Sequence, residues 1–119
     1  KVYLDSQSSL DYDLSRSGWI GDYVHPTTFL ELFTSGNGNN DTGWANPQYD
    51  ALISQAQLAQ TEEARIKALQ DAEEILLTDL PVLPIYWYTR VYMKDTQLRG
   101  WEPKVLDNHP YKYVYFETN

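Results

Sequence analysis

From Asn46 to Pro81 the chain reads NPQYDALISQAQLAQTEEARIKALQDAEEILLTDLP, two helical periods back to back. Asn46 offers a side-chain acceptor to the first unpaired amides of a helix, and Pro47 sits at the first helical position, where its missing N–H costs nothing. Tyr49, Leu52, Ile53, Ala56 and Ala59 then recur at i, i+3, i+4, i+7 and i+10, which is one apolar face. Thr61 is a second cap, with Glu62 and Glu63 in the first turn where the helix dipole favours negative charge. Ile66, Leu69, Ala72, Leu76 and Leu80 continue as the stripe of that second helix. The pair predicts a helical hairpin that ends at Pro81, which cannot extend a helix.

Outward from the hairpin the signals change period. Pro81-Val82-Leu83-Pro84 is expected to be extended, since each proline biases its predecessor away from the α region. The β-branched and aromatic run Ile85-Tyr86-Trp87-Tyr88-Thr89-Arg90-Val91-Tyr92-Met93 reads as a strand. A turn near Lys94-Asp95, a short segment Leu98-Arg99-Gly100-Trp101 and a terminal strand from Tyr111 to Phe116 follow. Upstream, Ser35-Gly36-Asn37-Gly38-Asn39-Asn40 is a turn cluster whose Gly and Asn residues tolerate positive φ. Thr27 to Phe33 reads as a short helix opened by Pro26 and stopped by Gly36. Asp11 to Trp19 alternates as a strand would, and Val2 to about Gln7 reads as the end of a helix. The class is mixed, α/β. A chain that opens inside an element and whose last strands have few partners reads as a piece of something larger.

Composition narrows the functions. The 119 residues are room for one domain. Seventeen acidic residues against nine basic ones leave a formal charge of −8, so the chain has no Lys/Arg face for nucleic acid or for an anionic membrane surface. No stretch is long and apolar enough to span a bilayer, and the first residues contain no apolar core of a signal peptide. With no cysteine, a disulfide framework and thiol chemistry are excluded. Ten Tyr, four Trp and three Phe make the chain 14% aromatic, a content that suits either a ligand groove or a small core.

Chemistry has little to stand on. The two histidines, His25 and His109, are far apart and form neither HxxH nor HExxH, so no metal site is expected and both read as surface residues. No cofactor is expected either, because the glycines build neither a GxGxxG turn nor a Walker loop. There is no GxSxG elbow and no Ser partner beside a histidine. Glu62-Glu63 and Glu73-Glu74 are carboxylate pairs, but each sits on the polar face of an amphipathic helix, where solvation explains them better than a glycosidase pair. Asn40-Asp41-Thr42 matches a glycosylation sequon, a pattern frequent by chance. No catalytic residue is expected.

What remains is the segment from Arg16 to Pro26. Gly18 and Gly21 admit the close approach of another backbone. Arg16, Trp19 and Asp22 interrupt this stretch, and if it is extended the even-spaced Arg16 and Asp22 face the same side, at most about 20 Å apart. A cationic and an anionic contact on one groove would suit a zwitterion such as a free peptide. The same charges would equally suit a loop in which each is simply solvated.

These residues carry a resemblance. Trp19-Ile20-Gly21-Asp22-Tyr23-Val24-His25-Pro26-Thr27-Thr28-Phe29-Leu30 resembles the W-x-x-D-Y-x-x-P-x-x-F-L signature of the oligopeptide-binding proteins, the large class C solute-binding receptors of peptide ABC importers. Trp44-Ala45-Asn46-Pro47-Gln48-Tyr49-Asp50 is similar to the family's W-x-N-P-x-Y-D helix start. The likeness continues through Arg65, Leu69, Ala72-Glu73, the run Asp79 to Tyr88, Gly100 and Lys112-Tyr113, in order along essentially the whole chain.

The resemblance implies a C-terminal fragment of a two-lobed, periplasmic-binding-protein-like α/β fold, since the family's proteins are several times longer. Residues 1–86 would complete the distal peptide-binding lobe, and residues 87–119 would hold the hinge crossing near Tyr86-Trp87-Tyr88 and the strands returning to the first lobe. Carried over residue by residue, Asp22 matches the carboxylate that receives a peptide's α-amino group. Arg16 matches a position able to pair with the C-terminal carboxylate of a short peptide, Trp19 a pocket wall, and Tyr88 a tyrosine contacting peptide backbone. Two departures stand out: Val24-His25, where the family usually has Asn and an acidic residue, and Trp87 in place of a common tyrosine. The implied function is non-catalytic: a periplasmic or cell-surface receptor, lipid-anchored in a Gram-positive host. Its implied partners are an oligopeptide ligand, the permease subunits of an ABC transporter and the preceding part of its own chain. The alternatives are a receptor of the same fold for an oligosaccharide or a metal chelate, and a small carboxylate-dependent hydrolase.

Overall fold

The computed structural model describes residues 1–117, so the end of the 87–119 segment, residues 118 and 119, lies outside the described part. In chain order the elements are α1 (Val2–Ser8), α2 (Thr27–Leu30), α3 (Pro47–Leu58), α4 (Glu62–Asp79), β1 (Leu98–Arg99) and β2 (Tyr115–Phe116). The chain divides into two units, Lys1–Pro84 and Ile85–Asn119.

The first unit is built on the hairpin. Asn46 Oδ1 accepts from the amides of Gln48 at 3.0 Å and Tyr49 at 3.2 Å, and Thr61 Oγ1 accepts from Ala64 at 3.2 Å. Both caps act as their residue types predict. Between α3 and α4 lies one core of Tyr49, Ile53, Ala56, Ala68, Leu69, Ala72 and Leu76, joined by Leu30 from α2. Three alanines at the seam keep the side chains short and let the helices approach closely. Tyr49 is fully buried; its ring meets Trp44 edge-on at 5.0 Å and its hydroxyl donates to the Leu30 carbonyl at 2.5 Å. Asp79 Oδ2 accepts from Trp44 Nε1 and Asn46 Nδ2, each at 3.1 Å, which fastens the end of α4 to the entry of α3.

The stripe differs from expectation at its ends. Ala59 lies past the end of α3 with extended backbone. Ile66 is half-buried while Ala68 is buried, so the face is rotated toward the smaller residue. Leu80 leaves the stripe altogether: its φ is 51° and it is 56% exposed. Leu80 takes the left-handed conformation common at helix ends and closes α4, and the proline after it bars a return to the right-handed α region.

Upstream, α2 runs into a 3-10 turn, Glu31–Phe33, and extended backbone at Thr34 stops it before Gly36. The Gly and Asn residues of the turn cluster, read as tolerant of positive φ, do not adopt it; Gly43, beyond the cluster, does, at 70°. The cluster is held by side chains. Asn37 Nδ2 donates to the Glu31 carbonyl, and Asn40 Nδ2 donates to the carbonyls of Phe33, Thr34 and Trp44. The sequon asparagine is thus committed to the turn. The strand expected from Asp11 to Trp19 is absent; that stretch is irregular and makes no ladder among the described residues.

In the second unit, the run Ile85–Met93 was expected as a strand, yet it pairs with nothing in the sheet of the described residues. Val91 is 94% exposed and Met93 fully so. A strand is stabilised by its partners and not by its own residues, so β propensity alone forms no ladder. The terminal strand is shortened by a 3-10 turn at Tyr111–Tyr113, leaving β2 to pair antiparallel with β1 in the register Leu98↔Phe116 and Arg99↔Tyr115. Arg99 forms an ion pair with Glu117 beside it. Gly100 makes the pairing possible: its φ is 75°, and a Cβ there would lie 1.9 Å from the Tyr113 carbonyl oxygen.

Two outcomes follow from this packing. Tyr49→Phe leaves the Leu30 carbonyl without its partner in the core and lowers the unfolding free energy by about 1–3 kcal/mol in urea titration. Burial, then the charges of Asp50 and Glu73, push the Tyr49 hydroxyl pKa upward. The stability this contributes is fully present below the ordinary tyrosine value of about 10 and is lost as pH climbs from there toward the raised folded value, a loss that Tyr49→Phe removes. Gly100→Ala abolishes the cross-strand NMR contacts between Arg99 and Tyr115 while the signals of α3 and α4 persist.

Candidate functional site

The segment from Arg16 to Pro26 lies between α1 and α2 without regular structure, so local contacts position it. The Asp22 amide donates to Thr28 Oγ1 at 2.9 Å, and Thr28 is itself 5% exposed on α2. Gly21 rests against the same residue: a Cβ at Gly21 would lie 3.1 Å from Thr28 Cγ2 and 3.4 Å from Phe29 Cζ. Gly21 is thus approached most closely by side chains and not by the other backbone expected of the two glycines, and Gly18 has nothing within 4 Å. The turn is closed by His25 N–H to the Tyr23 carbonyl at 3.1 Å and Thr28 N–H to the His25 carbonyl at 3.2 Å.

Polar side chains brace its outer side. The Tyr23 hydroxyl lies 3.0 Å from Thr27 Oγ1 and donates to Glu31 Oε2 at 3.4 Å, and Glu31 Oε1 accepts from Gln57 Nε2 on α3 at 3.1 Å. His25 Nδ1 lies 2.9 Å from Thr27 Oγ1. His25 is not the surface residue expected: it is half-buried, and its Nε2 is enclosed without a hydrogen-bond partner.

Arg16, Trp19 and Asp22 are thus on one loop of the first unit, with Arg16 and the Asp22 side chain exposed and Trp19 40% exposed. An exposed carboxylate on an anchored backbone, flanked by the partly exposed rings of Trp19 and Tyr23, can pair with an ammonium group and pack an apolar side chain. Tyr88 belongs to the second unit, where it is 70% exposed with its ring tilted against Tyr86 at 4.9 Å. Thr28 is the residue of this loop's support that motif reading passes over, whereas Gly21 is marked in the sequence for close approach. Its signal is weak: a β-branched residue at the start of a helix, seven positions after a glycine.

The second unit holds another cluster that the sequence does not announce. Tyr92 meets Trp101 edge-on at 4.5 Å, and Trp101 stacks on His109 at 4.3 Å. His109 Nε2 lies 2.8 Å from Asp107 Oδ1, and Arg90 Nη1 lies 2.5 Å from Asp107 Oδ2. The His109 side chain, expected at the surface, is 7% exposed. Among the described residues no group of three or more His, Cys, Asp or Glu is placed to hold a metal. Glu62 pairs with Arg65 at 2.8 Å, and Glu73 and Glu74 are exposed, which leaves the carboxylate pairs on a solvated face.

The helical hairpin, the irregular loop before it and the short sheet after it are those of the extracellular solute-binding proteins. The chain belongs to the oligopeptide- and dipeptide-binding family of these receptors. It is 45% identical over 100 residues to the oligopeptide-binding protein OppA of Bacillus subtilis, covering 83% of this chain and 18% of that protein. It is 38% identical over 113 residues to the dipeptide-binding protein DppE of the same organism, covering 95% of this chain and 20% of that one. The crystal structure of Haemophilus influenzae OppA in complex with the peptide RPPGFSPFR matches with a TM-score of 0.84 and 35% identity, over 97% of this chain and 23% of the other. The chain therefore spans about one-fifth of the length of the relatives it matches. No protein-family model matches it.

Proposed function

We propose that the chain is the C-terminal part of a non-catalytic receptor that binds oligopeptides outside the cytoplasm and hands them to an ABC importer. In this reading residues 1–86 complete the distal lobe and residues 87–119 carry the crossing and the strands that return to the first lobe. The observation that carries it is Asp22. It is an exposed carboxylate on a tethered loop, in a chain whose relatives are named for binding peptides. Asp22 takes the ligand's α-ammonium and Trp19 lines a side-chain pocket. Arg16 pairs with the carboxylate of a short peptide, and Tyr88 contacts the peptide backbone. Main-chain hydrogen bonds and the terminal charges supply affinity, so varied side chains are tolerated. The permease subunits are the partners that accept the ligand. The location is the periplasm or the cell surface, with a lipid anchor in a Gram-positive host.

The charge on the ligand amine decides between a peptide and a neutral sugar. An ammonium enclosed in a closed cleft has lost its water and must be paired. Removing one partner of such a pair costs about 2–5 kcal/mol, much of it from stranding the other charge. Asp22→Ala in the full-length receptor is therefore expected to weaken a free tripeptide by about 30-fold or more in titration calorimetry. The N-acetylated tripeptide starts weaker and loses far less. Equal losses for both ligands would make Asp22 structural and remove the peptide-amine reading.

A further inference from the structure

Asp22 sits on a loop with no ladder or helix of its own, so its carboxylate is aimed by whatever fixes its main chain. That fixing comes from one side chain with two branches. The hydroxyl of Thr28 accepts the Asp22 amide at 2.9 Å, and its methyl abuts Gly21, the preceding residue. Thr28 suits the task physically. It is β-branched and so restricted at χ1, and at 5% exposure its rotamer is locked by packing. Two residues on, Leu30 is buried and gives its carbonyl to the Tyr49 hydroxyl, so the helix that carries Thr28 is tied to the core of the hairpin. The neighbouring Thr27 faces the other way and holds the Tyr23 hydroxyl and His25 Nδ1.

We propose that Thr28 is a positioning residue for ligand binding: its hydroxyl sets the place and direction of Asp22 before the ligand arrives. The ligand amine then meets a carboxylate whose backbone is already ordered, and less conformational freedom is lost on binding. The inference rests on the reading of Asp22 as the amine-binding residue, and it adds a residue that makes no contact with the ligand.

The test uses the full-length receptor, with trialanine and N-acetyl-trialanine as probes in titration calorimetry. Thr28→Val keeps the size and branching and removes the acceptor. It is expected to weaken trialanine by about three- to tenfold, the range of one neutral hydrogen bond, and to change N-acetyl-trialanine by no more than about twofold. Thr28→Ser restores the hydroxyl and is expected to return trialanine to within about twofold of the unmodified receptor. If the valine variant fails to fold, Thr28→Ala removes the hydroxyl without placing bulk beside the Asp22 amide, and the same selectivity is expected of it. Equal weakening of both peptides, no weakening of either, or a serine variant that behaves like valine would overturn the proposal. Asp22→Ala run alongside separates the two claims. If it distinguishes free from acetylated peptide while the Thr28 variants do not, positioning by Thr28 falls and the amine-binding reading stands. If Asp22→Ala does not distinguish them, both fall.

Discussion

The hydroxyl of Tyr49 donating to the carbonyl of Leu30 is the constraint on which the first unit depends. It is enclosed in the core, where an unpaired carbonyl would cost more than the bond itself returns. It joins two parts of the chain that differ in character. On one side is a hairpin whose helices are capped, periodic and packed through alanines. On the other is a four-residue helix too short to persist alone. Through that bond the hairpin fixes Leu30, the helix then presents Thr28, and Thr28 holds the Asp22 amide. A loop with no regular structure thereby acquires a defined position from a scaffold three contacts away. Loops held by a rigid framework are a general arrangement, and here two atom pairs, Tyr49–Leu30 and Thr28–Asp22, are joined by the short helix between them.

The second unit is ordered differently. Its sheet has two residues per strand and would be marginal by itself. Aromatic stacking of Tyr92, Trp101 and His109 adds to it, as does Asp107, whose two carboxylate oxygens serve His109 and Arg90. Asp107 adopts a φ of 53°, a left-handed conformation that aspartate tolerates better than most residues. The exposed aromatic run from Tyr86 to Tyr88 has the composition of a strand. Across residues 85–93, β propensity outruns the pairing that the described residues provide.

What was legible in the sequence was what is encoded locally. Asn46, Pro47 and Thr61 announce their helices because capping involves only neighbours along the chain, and the apolar stripe of the hairpin needs no distant partner to be read. Errors gather where a distant partner or a single backbone angle decides. Leu80 fits the helical period, but its left-handed backbone ends the helix before Pro81. The run from Asp11 to Trp19 alternates without pairing. His109 gives no hint in the sequence of the Trp101 face that covers it. At the candidate site, Arg16 and Asp22 were proposed from their spacing, Trp19 from its place between them in the sequence, and Tyr88 through family resemblance. The support beneath Asp22 was not, because a threonine hydroxyl reaching back six residues leaves no periodic trace.

Asp22, on a loop placed by the hairpin, is the residue proposed to meet a ligand's ammonium. The most direct measurement is a crystal structure of the full-length receptor with a free peptide bound, read for one distance. The ligand's amino nitrogen is expected within about 2.7–2.9 Å of an Asp22 carboxylate oxygen, the length of a charge-assisted hydrogen bond. An amino nitrogen paired elsewhere, with Asp22 turned to solvent, would contradict the account.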